Sequence, residues 1–165
     1  GMKNARFSIQ INPSEHYFTN GKDELQFLFS ANKGGNFGEL KKVASGGELS
    51  RIMLSVKKIL SEHTQLPTII FDEIDTGVSG EVSNKIAAIM QQMSKNMQVI
   101  AITHLPQIAA KGNNHYKVFK KEIKGVTTTN LKQLSTEERV VEIAEMLSGK
   151  DISDSALTHA KELLN

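Results

Sequence analysis

The sequence of 165 residues contains no cysteine, and this absence excludes disulfide bonds, thiolate zinc sites and cysteine nucleophiles together. A chain without cysteine suits a reducing cytoplasm. No apolar run approaches the ~20 residues needed to cross a bilayer, and no signal-peptide pattern opens the chain. We therefore expect neither a disulfide-stabilised secreted domain nor a membrane-spanning protein.

The sequence also lacks a clear excess of one charge, because it has 20 basic and 18 acidic residues and therefore a net charge of +2. This balance is too near neutral to indicate nucleic acid as a partner. Hydrophobic residues make up 39% and charged residues 23%, which is typical of a folded globular protein. Because Gly1-Met2 looks like a remnant of tag removal, we expect a single domain over residues 3–165.

Two segments near the amino terminus alternate between apolar and polar residues, which predicts two β-strands. The pair Asn20-Gly21 lies between them and is a strong hairpin signal. Residues 32–38 then form a polar connection with three glycines. The apolar residues expected on one face of the two strands are Phe7, Ile9, Ile11, Leu25, Phe27 and Phe29.

The middle of the chain predicts a strand–helix–strand unit. A helical period that starts at Leu49 ends before Pro67, and the apolar run 68–71 predicts a strand buried on both faces. A helix from about Ser79 and a second buried strand over 99–102 follow. Such a unit is typical of a parallel sheet. The predicted fold class is therefore α/β, with a largely parallel sheet flanked by helices.

The last third of the chain predicts additional antiparallel strands and two helices. The strands are expected around residues 116–121 and 127–134. Ser135 and Glu138 form a capping box for a helix that Gly149 ends. A final helix is predicted over residues 153–164.

Functional chemistry is first suggested by Ser45-Gly46-Gly47, which precedes the amphipathic helix. Free N–H groups and the positive end of the helix dipole make an anion site there, and the Ser45 hydroxyl adds a donor. Taken alone, these residues are a weak signal, and a helix cap after a flexible loop explains them better.

Carboxylates and a histidine follow the two predicted parallel strands. Asp72 and Glu73 come at the carboxyl end of the first strand, where parallel sheets bind their ligands. Because neighbouring side chains in an extended chain point in opposite directions, we predict separate roles. Asp72 would hold Mg²⁺, and Glu73 would polarise an attacking water. His104 ends the next strand and is placed to meet a phosphate. The alternatives are solvated carboxylates and an ordinary loop histidine.

Taken together and in this order, the three segments resemble the motifs of the ABC-type ATPases. Ser45-Gly46-Gly47-Glu48 resembles their signature motif, residues 69–73 their Walker B strand, Asp75 their D-loop and His104 their switch histidine. The uninterrupted forms VASGGELSRIML, IIFDEIDTGVSG and ITHLPQIAA are similar to those of a bacterial DNA-repair branch related to the SMC proteins. The similarity runs nearly end to end.

The resemblance implies that the chain is the carboxyl-terminal lobe of an ATPase head. The phosphate-binding pattern G-x-x-x-x-G-K-[ST] does not occur in the sequence. In the family that it resembles, this loop belongs to the amino-terminal half of the head, beyond a long coiled coil. We therefore expect ATP and Mg²⁺ as cofactors of the full-length protein and its amino-terminal half as a partner. The chain alone would be inactive and bind nucleotide weakly or not at all.

The same resemblance implies a role for each motif residue. Asp72, Glu73 and His104 would serve the nucleotide of their own head. Asp75 would line the interface with a second head in a homodimer. The implied function is ATP-driven head dimerisation on DNA during double-strand-break repair, in the bacterial cytoplasm at the nucleoid. The residues that would reach the nucleotide of the second head are Ser45, Gly46, Gly47 and Glu48.

Other functions stay open on the residues alone. The segment 77–81 approaches the nucleophile elbow of a serine hydrolase around Ser79, but Glu81 stands where the pattern needs glycine. The five histidines show no metal-ligand spacing. The remaining alternatives are another SMC-like or RecF-like head, and a non-catalytic module that binds DNA or protein through a basic face. The lysines of such a face would be those at positions 41, 42, 57, 58, 117, 120, 121 and 124.

Overall fold

The computed structural model of the chain describes residues 2–64, 66–75, 77–78, 80–123 and 125–165. The chain divides into two compact units, Gly1–Leu60 and Ser61–Asn165, and the boundary falls inside a helix. Three residues named in the sequence predictions, Gly1, Ser79 and Lys124, lie outside the described residues. None of the helices in the described ranges has the length and apolar character that a membrane span requires.

The amino-terminal unit is built on an antiparallel hairpin. Phe18 pairs with Gly21 across the turn, and Gly21 has a φ of 129°, which side chains other than glycine rarely allow. The predicted hairpin at Asn20-Gly21 is therefore confirmed. The elements of this unit are β1 (Arg6–Phe18), β2 (Gly21–Ser30), β3 (Gly38–Glu39), α1 (Leu40–Val43) and most of α2 (Gly46–His63).

The hairpin register places the predicted apolar residues opposite one another on one face. Its apolar pairs are Phe7 with Phe29, Ile9 with Phe27, and Ile11 with Leu25. Phe29 is fully buried, whereas the other five side chains are about half exposed or more. We call these five residues the hairpin apolar face. The alternation therefore predicted the face correctly, but the described part of the chain leaves most of that face uncovered.

The polar connection predicted over 32–38 ends in two short elements, β3 and α1. Residues 38–39 pair with β2, and α1 follows directly. A Cβ on Gly38 would lie 2.4 Å from Val43 Cγ1, so glycine is needed for this close approach. The sequence did not reveal these elements, because two and four residues are too few to show a period.

The carboxyl-terminal unit contains the predicted strand–helix–strand arrangement. The strands β4 and β5 pair in parallel, and α3 connects them, which confirms the α/β fold class. Among the described strands, parallel pairing is limited to these two, and β6 and β7 form the additional antiparallel pair. The elements are β4 (Thr68–Asp72), α3 (Gly80–Met93), β5 (Gln98–Ile102), α4 (Pro106–Lys111), β6 (Tyr116–Ile123), β7 (Val126–Gln133), α5 (Thr136–Ser148) and α6 (Asp154–Leu164).

The prediction that both parallel strands are buried on both faces is wrong. Phe71 is buried, but Ile70 is 62% exposed and Ile102 is 53% exposed. Successive side chains of a strand point to opposite faces, so one face of the pair packs inward and the other is open in the described part of the chain. An apolar run in the sequence shows that the faces of a strand can be buried. It does not show whether the segment that covers each face is present in this chain.

The helices α4, α5 and α6 share a small hydrophobic core. Ile143 of α5 and Ala160 of α6 are fully buried there. The capping box predicted for α5 is confirmed, because Glu138 N–H donates to Ser135 Oγ at 3.2 Å and Ser135 N–H donates to the Glu138 carboxylate at 3.1 Å. Gly149 ends the helix with a φ of 82°, which is the predicted glycine cap.

A half-buried histidine follows the loop after α4. Arg139 of α5 holds this loop by donating to the carbonyls of Ala110 and Gly112 at 3.2 and 2.6 Å. Burial lowers the pKa of His115 below its ordinary value of 6.5, and the charges of Arg139 and Lys117 lower it further, while a nearby glutamate opposes them. The folded chain therefore holds His115 neutral where the unfolded chain would begin to protonate it.

This histidine predicts a loss of stability in mild acid. Because the folded pKa lies below the unfolded value of 6.5, its contribution is complete above pH 6.5 and is lost as the pH falls from there through the folded pKa. We expect the melting temperature, followed by circular dichroism, to fall across this window, and His115→Gln to make that fall smaller. The exposed His16 offers a matched control, His16→Gln, with which the effect of His115→Gln is compared. Equal slopes in the wild type and His115→Gln would contradict the prediction.

Candidate functional site

The predicted carboxylates lie at the carboxyl-terminal edge of the parallel strands. Asp72 is the last residue of β4 and is exposed. Glu73 follows it, is also exposed, and donates its backbone N–H to the Ile102 carbonyl of β5 at 3.2 Å. Both carboxylates therefore stand at the sheet edge where parallel strands bind ligands.

Glu73 leaves the strand in the left-handed backbone conformation. Its φ of 47° makes it the sole non-glycine residue with a positive φ in the described ranges. Such a conformation costs on the order of 1 kcal/mol for a non-glycine residue, and outliers of this kind cluster at functional sites. The predicted separate roles of Asp72 and Glu73 assume that both residues are in an extended strand and so point in opposite directions. This assumption does not hold for Glu73, because its backbone has already turned out of the strand.

Asp75 and His104 are brought together by the turn after β4 and the loop after β5. The Asp75 side chain is fully buried, and its Oδ2 lies 3.8 Å from His104 Nδ1. The same Oδ2 accepts a hydrogen bond from the Thr103 hydroxyl. The His104 side chain itself is 68% exposed. The motif histidine is therefore presented at the surface with a buried carboxylate behind it.

Thr103 is the residue of this arrangement that the sequence did not single out. Its hydroxyl donates to Asp75 and also accepts the backbone N–H of Leu105 at 3.0 Å. Leu105 is the cap residue of α4, and the first helical position is Pro106. No pattern marks Thr103 in advance, because its two partners are defined only by the tertiary fold.

The residues at this edge fit a magnesium ion that is shared with a nucleotide. Within the described ranges, no group of three or more His, Asp or Glu residues could hold a metal ion. The Asp72 side chain is exposed, and its carboxylate has no hydrogen-bond or ion-pair partner among the described residues. Mg²⁺ keeps several waters and typically takes one or two carboxylates together with phosphate oxygens. A single available carboxylate suits that coordination and does not suit a cage built from this chain alone.

The signature-like segment belongs to the amino-terminal unit and starts helix α2. Ser45 N–H donates to the Glu48 carboxylate at 2.8 Å, and Glu48 N–H donates to Ser45 Oγ at 3.3 Å. The backbone N–H of Ser45, followed by its hydroxyl, lowers the pKa of Glu48, and Arg51 contributes weakly. The structure thus shows a reciprocal helix cap, and the anion site remains a prediction for the same segment.

Gly46 keeps the amino-terminal end of α2 open. The residue is exposed, and a Cβ on it would meet no atom within 4 Å. The first N–H groups of a helix have no intrahelical acceptor and carry the positive end of the helix dipole. The structure therefore leaves open space beside Gly46 at the start of the helix.

The alternative sites gain no support from the described residues. Ser79 lies outside them, so the serine-hydrolase hypothesis stays untested. In the suggested basic face, Lys117 is bound by Glu142 and Glu145. Such neighbouring carboxylates reduce the positive field that nucleic acid would meet. A surface hollow lined by residues 61–64, 66–67 and 96–97 lies at the opposite, amino-terminal ends of β4 and β5.

Similar sequences are bacterial DNA repair proteins. The chain is 47% identical over 168 residues to DNA repair protein RecN of Halalkalibacterium halodurans, and 49% identical over 144 residues to that of Bacillus subtilis. These matches cover 99% and 87% of this chain. The chain spans only 30% and 25% of the length of these curated relatives, in their carboxyl-terminal part. No model of a protein family matches the sequence.

Similar solved structures are heads of SMC proteins. The SMC head with a coiled coil and joint from Pyrococcus yayanosii matches 89% of this chain with a TM-score of 0.66 at 19% identity, over 27% of its own length. A head from Pyrococcus furiosus, bound to the C-terminal domain of ScpA, matches 89% of this chain with a TM-score of 0.61 at 20% identity, over 35% of its own length. At such identities the likeness shows the fold alone: this chain is folded like part of an SMC head.

Proposed function

We propose, from the premise that this chain corresponds to a carboxyl-terminal part of the RecN family of bacterial DNA repair proteins, that it forms the second lobe of an ATP-hydrolysing head. The observation that carries the proposal is the common edge of β4 and β5. Exposed Asp72, Glu73 and His104 lie around the ends of these two parallel strands. This is the edge at which a nucleotide phosphate would bind in an open α/β sheet.

Within its own head, Glu73 would orient and polarise the water that attacks the terminal phosphate. Asp72 would hold Mg²⁺, which neutralises phosphate charge when it is bound. His104 would donate a hydrogen bond to the phosphate oxygens as negative charge develops there. The exposure of all three side chains and the strained backbone of Glu73 support these roles.

The start of α2 would act on the nucleotide of a second head. Gly46 and Gly47 would offer backbone N–H groups to its terminal phosphate, and the Ser45 hydroxyl would add a donor. Glu48 would keep the segment in place through its bonds to Ser45. A nucleotide held by both heads binds the closed state better than the open state, so ATP would favour dimerisation and hydrolysis would reverse it.

The remaining part of a full-length RecN protein would cover the open apolar surfaces. The hairpin apolar face, Ile70 and Ile102 are exposed in this chain, and contiguous apolar patches mark interaction surfaces. We assign the amino-terminal part of the same protein to these surfaces, since the chain spans about 30% of a relative. The complete protein would act on DNA in double-strand-break repair, in the bacterial cytoplasm at the nucleoid.

The chain alone is expected not to hydrolyse ATP and to bind it weakly or not at all, because its sequence contains no G-x-x-x-x-G-K-[ST] loop to hold the phosphates. Isothermal titration calorimetry of the 165-residue chain with ATP and Mg²⁺ measures this directly. A full-length RecN protein that contains this segment is the matched positive control and should bind and hydrolyse ATP. Tight Mg²⁺-dependent binding to the isolated chain would overturn the assignment of phosphate binding to another part of the protein.

A further inference from the structure

The burial of the Asp75 carboxylate costs free energy of folding and therefore needs a physical explanation. Its side chain is fully buried, and the described donors all reach one of its oxygens, Oδ2. The other oxygen, Oδ1, has no hydrogen-bond partner among the described residues. A buried polar atom without a partner costs on the order of 1–3 kcal/mol, so a role confined to packing would be served better by an apolar side chain.

We propose that Asp75 is a positioning residue that holds the loop of His104 through the Thr103 hydroxyl, and so sets how the histidine is presented at the end of β5. The inference rests on the proposed function, because His104 is the group that would meet the nucleotide phosphate. It assigns Asp75 and Thr103 to the interior of their own head rather than to direct contact with nucleotide.

The Thr103 hydroxyl connects the carboxylate to the backbone of the histidine loop. It donates its proton to Asp75 Oδ2, and its lone pair accepts the N–H of Leu105 at 3.0 Å. His104 lies between Thr103 and Leu105 in sequence. Because the Thr103 hydroxyl holds the N–H of Leu105 and is itself held by Asp75, the loop backbone at His104 has little freedom to rotate.

The same carboxylate also acts on the histidine ring. His104 Nδ1 lies 3.8 Å from Asp75 Oδ2, while most of the ring is exposed. This distance is longer than that of a hydrogen bond, so the carboxylate acts on the ring through its negative charge alone. Asp75 would thus hold the loop through Thr103 and bias the orientation of the ring through its charge.

Asp75 lies two residues after Glu73, and its carbonyl accepts the N–H of Val78 at 3.1 Å. One residue therefore connects the segment that follows Glu73 to the loop of His104. A displacement of either segment would be transmitted to the other through the Thr103 hydroxyl.

Histidine side-chain NMR of the 165-residue chain tests the inference without any nucleotide. Long-range ¹H–¹⁵N spectra report the environment of the ring nitrogens of each histidine, and His104→Gln identifies the His104 signals. We expect Asp75→Asn and Thr103→Val to shift the His104 ring nitrogens toward the values of the exposed His16, and Thr103→Ser to keep them at the wild-type positions. Unchanged His104 signals in folded Thr103→Val would overturn the proposal, and this variant decides the test if Asp75→Asn fails to fold.

Turnover in a full-length RecN protein separates this inference from the proposed function. Asp75→Asn and Thr103→Val should lower kcat about 10- to 100-fold, the usual effect of removing an outer partner of a functional histidine. Their ATP affinity should be unchanged. The kcat of Thr103→Ser should be close to that of the wild type. Full turnover in His104→Ala would contradict the proposed role of His104, whereas the NMR result would still stand. A wild-type kcat in Thr103→Val beside a slow His104→Ala would contradict the positioning role alone.

Discussion

Replacing Glu73 with glutamine in a full-length RecN protein that carries this segment is expected to reduce ATP turnover by about 10²- to 10⁴-fold, the usual contribution of a general base. Glutamine keeps the size of the side chain but cannot accept a proton from water. ATP affinity should stay close to wild type, because the phosphate contacts are made by other groups. Closed dimers should therefore accumulate in the presence of ATP, and size-exclusion chromatography together with single-turnover kinetics measures both effects.

Glu81→Gln is a matched control for this substitution. Glu81 is an exposed glutamate in the first turn of α3, and its carboxylate is bound by Lys85 at 2.6 Å. We expect this variant to keep wild-type turnover, because the Glu81 carboxylate is bound by Lys85 and has no proposed role in hydrolysis. If Glu73→Gln hydrolyses ATP as fast as the wild type, Glu73 does not polarise the attacking water.

The substitution of Gly46 by alanine should leave the fold intact and still block ATP-driven dimerisation. A Cβ at this position meets no atom within 4 Å, and no left-handed φ requires glycine there. In a closed dimer the same Cβ would stand between the start of α2 and the phosphate on the second head. A displacement of on the order of 1 Å can cost about 10²-fold in rate, so we expect a loss of that size in turnover with an unchanged melting temperature.

Gly80→Ala tests whether the effect is specific to this helix start. Gly80 also opens a helix, α3, and a Cβ on it would likewise meet no atom within 4 Å. This control should dimerise and hydrolyse ATP like the wild type. Normal ATP-dependent dimerisation of Gly46→Ala would show that no phosphate approaches the start of α2, and would remove the proposed role of this segment.

Local structure was predictable wherever short-range chemistry determines it. The turn at Asn20-Gly21, the box of Ser135 with Glu138 and the glycine cap at Gly149 were each predicted from residues close together in sequence. Their hydrogen bonds or backbone angles depend on one or two neighbouring residues, so the tertiary fold does not alter them.

Burial was less predictable, because it depends on segments that are distant in sequence. Ile70 and Phe71 are equally apolar neighbours in one strand, yet one is largely exposed and the other is buried. Phe27 and Phe29 of strand β2 show the same difference. The apolar residues of a sequence predict which faces of a strand can be buried. Only the tertiary structure shows which segment buries each face.

For the candidate site, the sequence by itself determined which chemical groups are present and at which strand ends they fall. Asp72, Glu73 and His104 could be placed there because parallel strands bring their carboxyl ends to one edge. Only the tertiary structure decided that Asp75 is buried, and that Thr103 connects it to the histidine loop. The reason is physical: a strand end is defined by local periodicity, whereas a hydrogen bond between two loops depends on how β4 and β5 pair.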